Sequence, residues 1–182
     1  MKSNYFVRLG ILTGLYLLTG KLGLMLALPP GYATVIWPPS GIALGMLLVC
    51  GARLWPGVLV ASLLLNAYNS GVFADADWWS VKLLAAFGIA VGSTLQALAG
   101  RALLVRFRGI PLRLDTPRDI LSLLFLARPL TCVVAATIGT ATLAALGIVA
   151  SGDIVRNWLA WWSGDAFGVV VFMPLVLLAP GG

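Results

Sequence analysis

The sequence predicts an all-α fold: a polytopic transmembrane bundle of about six helices with both termini in the cytoplasm. Three observations lead there. Hydrophobic residues make up 60% of the 182 and charged residues only 10%, far less charge than a soluble domain of this size needs. Successive apolar stretches reach or approach the roughly 20 helical residues that cross a hydrocarbon core of about 30 Å. The few charges are distributed unevenly along the chain, as membrane topology requires. Residues 1–182 read as a single integral membrane domain.

The first helix is expected from about Phe6 to Leu28, stopping at Pro29-Pro30-Gly31. A second runs from about Pro38 to Val49, with Trp37-Pro38-Pro39-Ser40-Gly41 at its start. Proline suits the first turn of a helix, where its missing N–H costs nothing. This helix is short for a full crossing. A third, from about Leu54 to Tyr68, opens on Trp55-Pro56. Tilt, or shielding of the ends by protein, accommodates both. The stretch Asn69 to Trp79, with Gly71, Asp75 and Asp77, reads as an exposed loop. A fourth helix, about Val81 to Val105, carries Gly88, Gly92 and Gly100 at a spacing suited to close helix contact. Arg106 to Arg118 is a basic loop. The fifth apolar stretch, about Asp119 to Ala150, contains Pro129 and reads as one kinked helix, with two half-helices as the alternative. The last helix runs from about Trp158 to Leu178 and carries Pro174 near its end.

Charge then orients the bundle. Six crossings put both termini on one side, together with Lys2, Arg8, Arg53 and the basic loop, while Asp75, Asp77, Asp153 and Arg156 fall on the other. Positive residues stay on the cytoplasmic side. That also accounts for the net charge of +6 without a nucleic-acid partner. Trp78, Trp79, Trp158, Trp161 and Trp162 then gather at the outer interface, where amphipathic rings settle. Cys50 and Cys132 sit in or beside apolar stretches and read as small core residues. With no His and two dispersed Cys, no metal centre is expected, and no cofactor.

Polar residues inside the apolar segments are the candidate site: Lys21, Asn66, Arg128 and Asp165, with Gln96 nearer the cytoplasmic half. From the helical rise, Lys21 and Asp165 lie roughly 10 Å below the outer face, Arg128 about 15 Å and Asn66 about 3 Å. Charges at such depth pair, face the bundle interior or line a cavity. Asp165 is the natural counterion for Arg128 or Lys21. Two cations against one carboxylate would leave positive charge for an anionic or polar small molecule. The alternative is a network that only fixes packing, with Lys21 snorkelling outward and Asn66 capping its helix. Gln96 is expected to make a helix–helix hydrogen bond outside this set. Trp37, Pro38 and Pro39, with Trp161, Trp162 and Gly164, would rim the same region.

These residues also carry a resemblance. The stretch ATVIWPPSGIALGMLLVCGARLWPGVL (Ala33 to Leu59) resembles the signature of the MASE1 integral-membrane sensor domains of bacteria, and so does WLAWWSGDAFGVVVFMPLVLL (Trp158 to Leu178). GSTLQALAG (Gly92 to Gly100) and KLGL (Lys21 to Leu24) are similar to the same family. The order and spacing fit across nearly the whole chain. The matching motif positions are Lys21, Trp37, Pro38, Pro39, Gly41, Gly51, Pro56, Asn66, Trp162, Gly164, Asp165, Gly168 and Pro174. At Gln96 the chain departs from the family pattern, which has an acidic residue there.

The resemblance implies a membrane input domain ahead of a cytoplasmic signalling module: a histidine kinase, diguanylate cyclase or phosphodiesterase, in cis or in trans. It also implies further crossings beyond the WWSGD helix, so the chain reads as a truncated copy or as a receptor acting through a partner. The expected setting is the bacterial cytoplasmic (inner) membrane, multi-pass, with the lipid bilayer as solvent, a small-molecule ligand as an option and a homodimer as a compatible state. The alternative function is a small-solute or proton-coupled transporter lined by Asp165 and Arg128. An enzyme is not expected, because Ser40 and Ser163 lack an evident general base.

Overall fold

A computed structural model describes residues 2–25, 27–28, 33–72, 81–108 and 117–179, with side chains over 4–25, 34–72, 81–107 and 131–179. The described elements are α1 (Lys2–Leu24), a two-residue antiparallel pair β1 (Ala27–Leu28) and β2 (Ala33–Thr34), α2 (Pro38–Cys50), α3 (Trp55–Asn69), α4 (Val81–Arg108), α5 (Pro117–Ala145) and α6 (Ile154–Leu177). Short 3-10 turns at Ala52–Leu54 and Ser151–Asp153 lead into α3 and α6. The predicted order of six helices therefore holds. Among the described residues, three helices, Asn4–Leu24, Val81–Phe107 and Ser151–Leu177, are long and apolar enough to cross a membrane. The loop containing Asp75, Asp77, Trp78 and Trp79 lies outside the described residues.

Boundaries shift where backbone chemistry differs from hydropathy. Helix α1 ends at Leu24 rather than Leu28, because Ala27 and Leu28 pair with Thr34 and Ala33 instead. The fifth helix is one continuous element through Pro129 and stops at Ala145, where Gly147 takes φ +70 and the Ile148 and Val149 amides return to the Leu143 carbonyl. Such a left-handed turn ends a helix by capping its last carbonyls. Helix α6 begins at Ile154, four residues before the first tryptophan of its motif.

Neighbouring contacts establish direction. Gly57 of α3 faces Leu9 and Leu12 of α1, and Gly20 at the other end of α1 faces Leu65. Those helices run parallel. Gly88, Gly92 and Gly100 of α4 meet Thr142, Ile138 and Thr131 of α5, an antiparallel pair. Asn157 and Trp158 at the start of α6 donate to Thr140 and Thr137 near the end of α5. The chain thus passes back and forth six times, gathering Arg8, Arg53, Arg101 and Arg106 towards one end and Lys21, Lys82, Asp153 and Arg156 towards the other. Apolar side chains cover the outside: on α1 alone Phe6, Val7, Ile11, Leu15, Leu18 and Leu22 are exposed. A water-soluble bundle does not present such a surface, and a lipid-facing one does.

Helix α2 is the centre of the bundle. Nine of its thirteen residues are buried, as expected of a helix that is apolar on every side. Leu44 and Leu48 pack with Leu104, Cys132, Val169 and Met173, while Ile42 and Leu47 pack with Leu12, Tyr16, Val58 and Leu65. Its length resolves the short second crossing. Thirteen helical residues span roughly 20 Å, and the five non-helical residues 33–37 before them add at most about 16 Å if fully extended. The sum matches the roughly 36 Å of the 24-residue α6, alongside which this segment runs. The second crossing is therefore part extended chain and part helix.

Non-helical backbone at membrane depth must be screened from lipid and have its polar groups satisfied. Here the Trp37 amide donates to the Gly164 carbonyl at 2.9 Å, and the Ser40 amide turns back to the Trp37 carbonyl at 3.2 Å. Pro38 and Pro39 occupy the first helical turn and have no N–H to satisfy. The sequence WPPS therefore lets a helix begin inside the bundle with few stranded donors. At the other end Gly51, at φ +97, donates its amide to the Leu47 carbonyl, and the Arg101 Nε donates to the same oxygen at 2.9 Å. A cation there complements the negative end of the helix dipole.

Candidate functional site

The α2–α6 contact is built on glycines in both helices at a four-residue spacing, Gly41 and Gly45 in α2 and Gly164 and Gly168 in α6. Small residues at this spacing allow backbones to approach closely in lipid. A Cβ at Gly168 would overlap the Trp37 carbonyl and lie 2.5 Å from Ser40 Oγ. One at Gly164 would overlap the Thr34 carbonyl, one at Gly41 the Gly168 carbonyl, and one at Gly45 would lie 2.7 Å from Val176 Cβ. Ser40 Oγ lies 2.8 Å from the Trp37 carbonyl and 2.9 Å from the Asp165 carbonyl, so its single proton is shared between the start of α2 and the middle of α6.

This contact places Asp165 beside the start of α2. Asp165 is 2% exposed and lines a narrow cavity with Tyr16 of α1, Trp37 and Ser40 at the head of α2, Ser93 and Gln96 of α4 and Thr131 of α5. The Gln96 side chain hydrogen-bonds the Asp165 carboxyl. Its Nε2 also approaches Cys132 Sγ at 3.9 Å. The Tyr16 hydroxyl faces Ser62 and Ser93. Ser62 in turn accepts from the Asn66 amide, 2.8 Å to its carbonyl and 3.4 Å to its hydroxyl. Five helices line the cavity and α3 backs it. The cavity has about 10 Å³ of room for a water centre, enough for one water and too little for an organic ligand.

The predicted site residues distribute unevenly around this centre. Asp165 and Trp37 line the cavity, and Gln96, expected to act elsewhere, lies at its heart. Asn66 is buried one step away through Ser62. Lys21 is not brought to Asp165. It is exposed in an open groove of about 310 Å³ between α1 and α3, lined by Leu17, Leu64, Leu65 and Tyr68, with its ammonium 5.6 Å from the centre of the Tyr68 ring. The reason is rotational: Leu12, Tyr16 and Gly20 form the buried stripe of α1, and the next residue after Gly20 turns about 100° away from it. Trp162 stacks on Trp158 with ring centres 6.3 Å apart and does not line the cavity. The Arg128 side chain lies outside the described residues, so its expected pairing with Asp165 does too. Pro56 sits in the first turn of α3, and Pro174 lies inside α6 near its end.

Tyr16, Ser93, Thr131 and Arg101 are outside the site that the sequence reading assembles, and Ser40 enters that reading only as a serine without a general base. Tyr16 and Ser40 carried a usable signal, being polar groups within the same apolar depth range as Asp165.

An integral membrane bundle of helices, with a buried polar centre and a glycine-packed central helix, is the class these features define. MASE1 matches residues 8–181 of the chain. The chain belongs to the MASE1 family, whose members are membrane-associated sensor domains of signalling proteins. No curated protein and no solved structure matches it.

Proposed function

We propose that the chain is a membrane-embedded input domain in a bacterial cytoplasmic membrane. It passes a stimulus to a cytoplasmic signalling module, a histidine kinase, diguanylate cyclase or phosphodiesterase, in cis or in trans. The observation that carries this reading is the position of the Asp165 cavity at the joint between α2 and α6. Helices α2 and α6 run parallel from that joint towards the end where the basic residues gather, which the positive-inside rule assigns to the cytoplasm. A stimulus that alters the polar centre therefore has a short mechanical route to the cytoplasmic ends of both helices. Relay requires two packing states with different affinity for the stimulus, and a glycine-lined contact between two helix backbones is suited to switching between discrete arrangements.

The cavity supports no catalytic role in this reading. The Ser40 hydroxyl is committed to two main-chain carbonyls, which leaves it poorly placed as a nucleophile. One observation favours a transport reading: polar side chains run in file from Asp165 through Gln96, Tyr16 and Ser62 to Asn66. A space for one water argues against a solute-sized path.

The test is Asp165→Asn in the chromosomal copy of the native host, with kinase phosphorylation and cyclic-di-GMP level as readouts. The same variant is measured for solute and proton flux in proteoliposomes. The input-domain reading expects an altered signalling output and no flux in either protein. Flux that disappears in Asp165→Asn, with output unchanged, would replace it with the transporter.

A further inference from the structure

Among the described residues, three buried side-chain atoms lack a hydrogen-bond partner: the Tyr16 hydroxyl, Gln96 Oε1 and Asp165 Oδ2. Their residues are 1%, 5% and 2% exposed, and all three line the same cavity. They come from α1, α4 and α6, which are separate in sequence. Buried polar groups in native proteins are almost always satisfied, by protein or by ordered water.

From this we infer that the cavity is a built site for a single water molecule, which donates to Gln96 Oε1 and Asp165 Oδ2 and accepts from the Tyr16 hydroxyl. The inference shares the Asp165 cavity with the functional reading above. Size and valence both fit. The space of about 10 Å³ holds one water centre, and buried waters typically make about three hydrogen bonds. Water has two protons and two lone pairs. Two acceptors take its protons, and one donor uses a lone pair. If Asp165 carries a proton, its Oδ2 donates to the second lone pair and the assignment still closes. One molecule then has a partner role for each of the three unsatisfied atoms.

The water would also add to the direct Gln96–Asp165 contact by drawing in Tyr16. It ties α1 and α4 to α6 at the level where α2 begins, so that a shift of α6 against α2 is felt by two further helices. An organic ligand does not fit this space, so a stimulus acting here acts by changing hydration, protonation or helix packing.

Water-edited solid-state NMR on the whole chain in lipid nanodiscs tests this. The expected result is transfer from a slowly exchanging water to the side-chain carbonyl carbons of Asp165 and Gln96. In Tyr16→Phe that transfer should fall at least about two-fold at both sites, because one of three anchors is gone. Absence of transfer in the wild-type protein would show a dry cavity and overturn the assignment. So would transfer that appears only when sodium is replaced by N-methylglucamine, since a small cation would then be the occupant. A dry cavity with altered signalling in Asp165→Asn would refute the water and leave the input-domain reading standing. A bound water with unchanged output would do the reverse.

Discussion

Replacing Gly168 by Ala tests the α2–α6 joint with a single added methyl. The new Cβ would lie 2.6 Å from the Trp37 carbonyl carbon and 2.5 Å from Ser40 Oγ, while overlapping the Trp37 oxygen. Those neighbours are main chain or a hydroxyl held by two hydrogen bonds, so neither can swing aside cheaply. Restoring van der Waals contact of about 3.5 Å requires α2 to retreat by roughly 1 Å from α6. Overpacking of this kind costs about 1–3 kcal/mol. The retreat also stretches two hydrogen bonds, Trp37 to Gly164 and Ser40 to Asp165, both 2.9 Å, each worth about 1 kcal/mol. The expected destabilisation is therefore about 3–5 kcal/mol. Gly10→Ala is the internal control, because nothing lies within 4 Å of its Cβ position. Helix propensity predicts a gain of up to about 1 kcal/mol there. Reversible unfolding in mixed micelles, with both variants under the same detergent composition, gives the two values. If Gly168→Ala falls within about 0.5 kcal/mol of Gly10→Ala, the close backbone approach of α2 to α6 is wrong.

Asp165→Ala is expected to destabilise the bundle by leaving its polar neighbours unmatched, and Asp165→Asn combined with Arg128→Gln to recover part of that loss. Additive damage in the double-mutant cycle would dispose of an Asp165–Arg128 pair. Arg101→Leu removes the Nε bond to the Leu47 carbonyl and should cost about 1–3 kcal/mol, with Arg101→Lys recovering part of it. Stability of Arg101→Leu equal to that of the wild type would show that the capping bond contributes nothing. At Gly139 an added Cβ would lie 2.6 Å from the Trp161 ring; Gly139→Ala should destabilise, and Trp161→Phe should offset it in the double variant. Thermal unfolding of the four proteins in the cycle reads the coupling, and zero coupling contradicts the α5–α6 packing.

Much of the fold was legible because membrane crossings announce themselves as apolar runs and their starts as prolines. Pro38 opens α2, and α4 starts at Val81, as hydropathy and loop chemistry require. The completion of the second crossing by residues 33–37 was not legible. Hydropathy reports that a segment is apolar but not whether its backbone is helical or extended, and only α6 supplies the partner groups. The polar centre was half legible. Asp165 stands out as a lone carboxyl in an apolar helix, but depth arithmetic gives a level and not an azimuth. Lys21 shares the level and faces out; Tyr16 and Gln96 face in. The glycine spacing at 41/45 and 164/168 is present in the sequence, whereas the identity of the two helices it joins depends on the assembled bundle.

The most direct test of the relay is a distance between the C-terminal ends of α2 and α6. Spin labels on Cys50 and on Leu178→Cys, in a Cys132→Ala background, report it by pulsed electron resonance in nanodiscs. Asp165→Asn should shift the distance distribution or add a second population, as should Gly168→Ala. Superimposable distributions for the wild-type side chain and Asp165→Asn, with Gly168→Ala displaced, would show that the buried carboxyl does not control α2–α6 packing and would contradict the account.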